Sequence, residues 1–336
     1  MEKTIPIQLA IATNQLSTGY KTNRVENILF RNLNLSLQKG KLTCFMGPNG
    51  IGKSTLIRTL AGLQKPLAGE IQYFPNEEKK EAPLSQQIAL VLTDRISMPN
   101  MTVYELISFG RYPYVNWSIK LSDADTAVIQ QSIQQVHIEH LIDKRLYELS
   151  DGQLQMVMIA RALTQDTPII LLDEPTAHLD LNNRVEMMNL LRQLSRLLNK
   201  AILIATHELD LALQTADEIW LAGREKNIIT GIPEDLVLKD VFDDIFQFKG
   251  FDLKTGRVEH EAHRNVSINL IGSGYEFLWT KNAFERNGYH ITTDDNSPFC
   301  ITIINKQNTY SWWLNNNQSF TSLQDVLVHL SNTNEK

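Results

Sequence analysis

The sequence predicts a layered α/β core with an inserted helical subdomain, followed by a small second α+β domain. Between about residues 6 and 245, short β-branched runs alternate with longer amphipathic ones, a pattern typical of layered strands and helices. Within this region, residues 98–165 are almost wholly helical in periodicity. From residue 250 to residue 336 the composition shifts, because Asn becomes frequent and three of the five Trp residues lie there.

The composition limits the classes of function. The chain has 336 residues, and its 38 acidic residues exceed the 32 basic ones, for a net charge of −6. This balance argues against nucleic acid as a partner, since nonspecific binding needs a basic surface. The two cysteines cannot form a disulfide framework, which fits a reducing compartment. The longest apolar runs are strand-sized, so any membrane role is expected to require a partner protein.

The individual elements follow from apolar runs and capping residues. Ser122 or Asp123 is a plausible N-cap for a helix inside the inserted subdomain. The predicted buried strands of the core are 42–46, 87–92, 169–172, 201–205 and 218–221. In the second domain we predict strands at 266–271, 299–304 and 309–314 and helices at 275–288 and 321–330.

The segment after the strand at residues 42–46 fits the pattern G-x-x-x-x-G-K-[ST]. Glycines let backbone N–H groups turn inward around phosphate groups, where a side chain would collide with oxygen. The helix that follows adds its positive dipole end, Lys53 a mobile charge and Ser54 a hydroxyl ligand for Mg²⁺. The predicted nucleotide-binding residues are Gly47, Pro48, Asn49, Gly50, Ile51, Gly52, Lys53, Ser54 and Thr55.

Four further segments narrow the choice among nucleotide-binding families. An apolar strand ends in Asp173 and Glu174, and LSDGQ precedes a helix about twenty residues upstream. AHLD at residues 177–180 follows the carboxylates, and a second apolar strand ends at His207. In this order the segments resemble the ATP-binding cassette (ABC) ATPases over residues 6–245. The resemblance implies a P-loop ABC ATPase core that binds ATP and Mg²⁺.

The resemblance also implies roles for single residues. Asp173 would hold Mg²⁺ beside Ser54, and Glu174 would act as the general base that polarises the attacking water. His207 would keep the γ-phosphate and this water in register. Tyr20 matches the aromatic residue that stacks on adenine, although an ordinary turn tyrosine is the alternative.

The LSDGQ segment implies a dimer. In the family that it resembles, the hydroxyl group at Ser150 and the amides of the following helix reach the nucleotide of the partner subunit. ATP would then join two chains head to tail, as a homodimer or as a pair with a homologous cassette. Asp180 would connect the two active sites. The signature residues are Leu149, Ser150, Asp151, Gly152 and Gln153.

Two positions depart from the family pattern. Asp151 replaces the first glycine of the usual LSGGQ and brings a negative charge near an anion site. Thr93 stands where the family has a glutamine that couples nucleotide state to the membrane partner. Threonine keeps a hydroxyl group that could contact Mg²⁺ or water, but it lacks the reach of the amide.

The tract at residues 101–114 resembles the TVxELVxxGRxPY stretch of importer cassettes for iron-siderophore, haem and cobalamin transport. It would form the groove that receives a short helix of the membrane subunit. Val103, Leu106 and Ile107 are better explained as core positions of an amphipathic helix. The Gly-Arg-x-Pro-Tyr end has no packing reason visible in the sequence, so it favours the importer interpretation.

The function predicted from these features is that of the ATPase subunit of an ABC importer for an iron chelate, haem or cobalamin. Its expected partners are polytopic permease subunits and, indirectly, an extracytoplasmic substrate-binding protein. We expect it at the cytoplasmic face of the inner membrane, peripherally bound. The alternatives are a soluble ABC ATPase of translation or repair and a nucleotide-gated regulatory module, in which the C-terminal domain senses a ligand.

Overall fold

A computed structural model describes residues 8–22, 25–75, 82–92, 100–115, 120–258, 260, 262–294, 297–306 and 309–334. The chain divides into two compact units, Met1–Gln247 and Phe248–Lys336. In the part of the chain that the structure describes, no helix is both long and apolar enough to cross a bilayer.

Two sheets form the first unit. The strands of its described residues are β1 (Leu9–Thr22), β2 (Val25–Leu33), β3 (Ser36–Gln38), β4 (Leu42–Met46), β5 (Ala68–Tyr73), β6 (Ile88–Val91), β7 (Ile169–Asp173), β8 (Ala201–Ala205), β9 (Glu218–Ala222) and β10 (Ile228–Gly231). The central sheet has the order β10-β9-β4-β8-β7-β6, and its neighbours are parallel except for β9 and β10.

The central strands are buried as the sequence predicts. Every residue of β4, β7 and β8 is buried, as in parallel sheets that are covered on both faces. All five predicted core strands are confirmed to within one residue at either end. Together with the phosphate-loop turn after β4, they confirm the predicted α/β fold class.

The second sheet of this unit is antiparallel and was not predicted. Its long strand β1 pairs with β3, β5 and β2. The pairing register of β1 shifts near Gly19, where an added Cβ atom would lie only 2.0 Å from the carbonyl oxygen of Asn27. This close approach requires glycine, because no side chain fits there.

Helices pack around the central sheet. Those of the first unit are α1 (Lys53–Leu60), α2 (Val103–Ser108), α3 (Asp123–Val136), α4 (Asp151–Thr164), α5 (Leu181–Leu197), α6 (Leu209–Thr215), α7 (Pro233–Leu238) and α8 (Val241–Phe246). Between β6 and β7 the described residues contain helices and turns but no strand, which confirms the inserted helical subdomain. Ser122 caps α3, since its hydroxyl oxygen accepts from the amide of Asp125 at 3.1 Å.

The Gly-Arg-x-Pro-Tyr end of the tract at residues 101–114 has a packing role, which corrects the expectation from the sequence. A Cβ atom at Gly110 would lie 2.4 Å from the carbonyl oxygen of Arg161. Buried Arg111 donates to Asp125 at 2.8 Å and to the carbonyl of Thr164 at 3.1 Å. These contacts attach the tract to α3 and to the C-terminal end of α4. Gly110 and Arg111 therefore have a packing reason within the chain, whereas Tyr112 of the same tract is 50% exposed.

The second unit is a small α+β fold, as predicted. Its elements are β11 (Phe251–Asp252), β12 (Arg257–Val258), β13 (Ser267–Ile271), α9 (Gly274–Arg286), β14 (His290–Thr292), β15 (Phe299–Lys306), β16 (Thr309–Leu314), β17 (Gln318–Phe320) and α10 (Leu323–Asn334). The main sheet has the order β14-β13-β15-β16-β17. Buried Trp312 belongs to its core and donates from Nε1 to the hydroxyl oxygen of Thr280 at 2.8 Å.

Candidate functional site

The candidate site lies where three neighbouring parallel strands end. Strand β8 lies between β4 and β7 and is parallel to both, so their carboxyl ends share one edge of the sheet. The phosphate loop follows β4, Asp173 ends β7, and His207 comes two residues after β8. Such an edge is the usual ligand site of an open α/β sheet. Sequence segments that are far apart are thereby brought together.

The phosphate loop has a backbone that only glycine adopts easily. Gly50 has φ of 75° and Gly52 has φ of 116°, both in the left-handed region. At Gly52 an added Cβ atom would also lie 2.9 Å from the side chain of Leu29. Among the described residues, none caps the N-terminus of α1 with its side chain, and its first turn carries no acidic residue. The amide groups there are consequently available to an anion.

Lys53 lies inside the loop. It is only 6% exposed, and its ammonium group donates to the carbonyl oxygens of Gly47 at 3.0 Å and Pro48 at 3.4 Å. Burial lowers the pKa of the Lys53 ammonium group, while the nearby carboxylates of Glu174 and Asp173 act in the opposite direction. The charge is thus held at the loop by backbone oxygens that a phosphate group could replace.

Asp173 and Ser54 form the other side of this region. Asp173 is 4% exposed, and burial raises the pKa of its carboxyl group, an effect that a hydrogen bond from Ser54 partly offsets. A buried carboxylate beside a hydroxyl group is an all-oxygen donor set of the kind that Mg²⁺ prefers. The residues present therefore fit a magnesium ion.

Glu174 and His207 are neighbours. His207 Nδ1 lies 3.7 Å from Glu174 Oε2, and the Glu174 amide donates to the carbonyl oxygen of Ala205 at 2.9 Å. Glu174 has φ of 49°, a left-handed conformation that is unfavourable for a non-glycine residue. Strain of this kind is common at functional sites. The strained residue, Glu174, carries a partly exposed carboxylate and directly follows the fully buried strand β7.

Two further residues of this cluster were not predicted. His207 Nε2 lies 3.4 Å from Glu208 Oε1, and Arg184 Nη1 donates to both carboxylate oxygens of Glu208 at 2.8 and 2.9 Å. Arg184 Nε also donates to the carbonyl oxygen of Leu179 at 2.6 Å. In the sequence, Arg184 is visible only as a charged residue four positions after Asp180. Its partner lies 24 residues away, beyond the reach of local patterns.

Tyr20 lies beside the phosphate loop. It belongs to β1, and its hydroxyl group forms a hydrogen bond with the hydroxyl group of Thr55. Its side chain is 48% exposed, so much of the ring surface remains open to solvent. Tyr20 therefore lies within β1, and its ring is next to the phosphate loop.

The signature segment begins α4. Ser150 caps this helix: its hydroxyl oxygen accepts from the Gln153 amide at 3.3 Å, and the Gln153 side chain accepts from the Ser150 amide at 3.1 Å. The hydroxyl proton of Ser150 is not used by this cap. Asp151 is exposed in the first helical turn, where a negative charge interacts favourably with the helix dipole.

Asp180 caps α5, because its carboxylate accepts from the amide of Asn183 at 2.9 Å. Asn183 also connects this helix to the signature segment, since a Cβ atom at Gly152 would lie 3.1 Å from its side-chain nitrogen. The loop at residues 177–180 is thus adjacent to the signature segment within one chain. Thr93, the altered glutamine position, lies outside the described residues.

Comparisons with known families match both parts of the chain. A family model described as ABC transporter matches residues 30–177. A second model, described as Iron ABC transporter C-terminal domain, matches residues 265–331. The two matches lie on opposite sides of the boundary between the compact units.

Individual relatives and structures are similar along most of the chain. The petrobactin import ATP-binding protein FpuD of Bacillus anthracis is 36% identical, with 72% of this chain and 88% of the relative covered. The iron(3+)-hydroxamate import ATP-binding protein FhuC of Bacillus subtilis (strain 168) is 30% identical, with 71% and 88% covered. The dimeric structure of MJ0796, a bacterial ABC transporter cassette, matches with a TM-score of 0.56, 25% identity, and 66% of this chain and 98% of that chain covered.

Proposed function

This chain belongs to the family of ABC transporter ATP-binding proteins, ATPases coupled to transport, and we propose that it drives uptake of an iron chelate through a partner permease. The observation that carries the iron assignment is the match of residues 265–331 to the iron ABC transporter C-terminal domain. The relatives FpuD and FhuC, whose names describe petrobactin and iron(3+)-hydroxamate import, support the same substrate class.

The phosphate loop binds the nucleotide. The uncapped amides of α1 and the buried ammonium group of Lys53 interact with the phosphate oxygens, and the exposed ring of Tyr20 stacks on the base. The hydrogen bond between the hydroxyl groups of Tyr20 and Thr55 supports this role, because it places the tyrosine ring next to the phosphate loop. Ser54 and Asp173 would hold Mg²⁺, which would supply positive charge to the phosphate oxygens.

Glu174 and His207 carry the hydrolytic step. The carboxylate of Glu174 accepts the proton of the attacking water, and the imidazole of His207, 3.7 Å away, keeps water and γ-phosphate aligned. Arg184 and Glu208 act through His207 and restrict its imidazole to one orientation. The strained backbone at Glu174 supports its role, since left-handed non-glycine residues are common at functional sites.

Two copies of the chain, or this chain and a homologous cassette, bind two ATP molecules between them. Ser150 supports this arrangement, since its hydroxyl proton is left for an anion while its oxygen caps α4. Leu149, Asp151, Gly152 and Gln153 complete the segment that faces the partner's nucleotide. Asp180 connects the two sites. The similarity to a dimeric cassette supports the same assembly.

The further partners follow from the importer assignment. The chain binds peripherally to polytopic permease subunits at the cytoplasmic face of the inner membrane. An extracytoplasmic binding protein delivers the chelate to the permease from the other side.

Co-purification and uptake test the proposal. The tagged full-length chain is isolated from detergent-solubilised membranes, and uptake of a radiolabelled ferric chelate is measured in cells with wild-type protein or Glu174→Gln. We expect a polytopic partner and uptake that is lost in the variant. Recovery of ribosomes or DNA instead would support the translation or repair alternative. Uptake that is unchanged in the variant would contradict the proposed role in transport.

A further inference from the structure

The second unit contains a cleft that the ATPase function does not use. Its volume is about 480 Å³, and it lies between the hairpin β11–β12 and one face of α9. Pockets for small molecules have volumes of roughly 300 to 1,000 Å³, so the cleft has the size of a ligand site. All of its lining residues belong to the second unit.

Part of the cleft lining is apolar and exposed. Trp279 and Leu278 of α9 are 68% and 40% exposed, and Val258 of the hairpin is 57% exposed. An indole with that exposure leaves a large apolar face in contact with water, whereas Trp312 of the same unit is 8% exposed in the core. Such a flat surface is suited to stacking against another planar group.

The lining also carries positive charge. Arg257 and Arg286 line the cleft, and among the described residues no carboxylate lies within ion-pair distance of either guanidinium group. Glu285 also lines the cleft, but its carboxylate lies 3.6 Å from the Lys281 ammonium group on the next helical turn, which offsets its charge. His260 and Asn282 add further hydrogen-bonding groups.

We propose that this cleft binds a planar aromatic carboxylate. The ring stacks on Trp279 and contacts Leu278 and Val258, and the carboxylate receives hydrogen bonds from Arg286 and Arg257. Guanidinium groups match a carboxylate in geometry and charge, and they repel a cationic ligand. The proposal concerns binding alone and does not depend on hydrolysis by the first unit.

Isothermal titration calorimetry with the full-length protein tests both parts of the ligand. The probes are 2-naphthoate and 2-naphthamide, which share one ring system and differ in charge, and acetate, which carries the charge without the ring. We expect 2-naphthoate to bind at least about tenfold more tightly than either control. Equal affinity for 2-naphthoate and 2-naphthamide would overturn the proposal.

Substitutions of lining residues test whether 2-naphthoate binds in this cleft. Trp279→Leu and Arg286→Gln should each weaken 2-naphthoate binding about tenfold, and both sites are exposed, so the fold should tolerate the changes. Lys249→Gln removes an equal charge from the same unit outside the cleft and should leave the affinity unchanged. Unchanged binding by Trp279→Leu and Arg286→Gln would overturn the assignment to this cleft.

Discussion

Arg184 holds both carboxylate oxygens of Glu208, at 2.8 and 2.9 Å, while Glu208 contacts the imidazole of His207. Arg184 also donates to the carbonyl oxygen of Leu179, in the loop that precedes α5. One guanidinium group therefore connects the loop that leads to Asp180 with the residue next to His207. Any movement of that loop when two chains associate would be transmitted to the imidazole through two side chains.

Arg184→Gln should lower kcat for ATP hydrolysis about tenfold, because His207 loses the restraint on its orientation while the phosphate loop is unchanged. ATP affinity should stay within about twofold of wild type. Arg184→Lys should restore little of the rate, since an ammonium group cannot donate to Glu208 and Leu179 in the same fork geometry. Steady-state phosphate release and equilibrium nucleotide binding separate the two quantities.

Arg196→Gln is the matched control. Arg196 lies on the same helix and pairs with Asp217 at 2.7 Å, but its side chain is 54% exposed. Loss of an exposed ion pair has little effect on stability. The kcat of Arg196→Gln should therefore equal that of the wild-type protein. If both arginine variants lower kcat equally, the effect belongs to the helix and not to the contact with Glu208.

Glu174→Gln should lower ATP turnover about 100-fold or more, because an amide cannot accept the proton of the attacking water. Nucleotide binding should persist, so ATP should now stabilise a dimer that wild-type protein forms only transiently. Phosphate release and light scattering with saturating ATP measure the two effects. Wild-type turnover in this variant would eliminate Glu174 as the general base.

Lys53→Met should weaken ATP binding at least about tenfold, because the loop loses the charge that lies against its carbonyl oxygens. The fold should persist, since methionine fills most of the volume of the buried stem. Lys65→Met removes an equal charge from an exposed position outside the loop and should bind ATP normally. Equilibrium dialysis with labelled ATP gives both affinities, and equal values would contradict the assignment of Lys53.

Asp125→Asn should lower the free energy of unfolding of the first unit by about 2 kcal/mol at pH 7. Hydrogen bonds from Ser122 and Arg111 lower the pKa of the Asp125 carboxyl group from 3.8 to about 2. The ionised form is therefore stabilised by folding at pH values above about 4, and this contribution is lost as the pH falls toward 2. Urea unfolding of both proteins at several pH values should show the difference shrinking over this range.

Asp123→Asn serves as the control for that measurement. Asp123 shares the first turn of α3 with Asp125 and interacts with the same helix dipole, but it is exposed. Its replacement should cost less than about 0.5 kcal/mol. An equal loss in both variants would show that the dipole, and not the buried contact with Arg111, provides the stability.

The parts of the fold that the sequence predicts well are those with local causes. The strands β4, β7 and β8 are continuous apolar runs, and the cap at Ser122 depends on residues within one helical turn. The phosphate loop is predictable for the same reason, because its glycine spacing is set by its own backbone. These features need no knowledge of what packs against them.

The remaining features depend on residues that are distant in the sequence. The Gly-Arg-x-Pro-Tyr end looks unexplained until Arg111 is seen to donate to Thr164, 53 positions later. The pairing of Arg184 with Glu208 likewise requires α5 to lie beside the end of β8. The long strand β1 was not predicted, because it pairs with three partners and changes register near Gly19 instead of following one simple alternation.

Strand β1 contributes to the antiparallel sheet and also carries Tyr20, whose hydroxyl group contacts Thr55. A nucleotide that stacks on this ring would consequently restrain the pairing between Tyr20 and Asn27. Amide protons on either side of Gly19 should therefore exchange with solvent more slowly in the loaded protein than in the empty one. The occupancy of the base site would in this way be reported by the backbone of a sheet that takes no part in the chemistry.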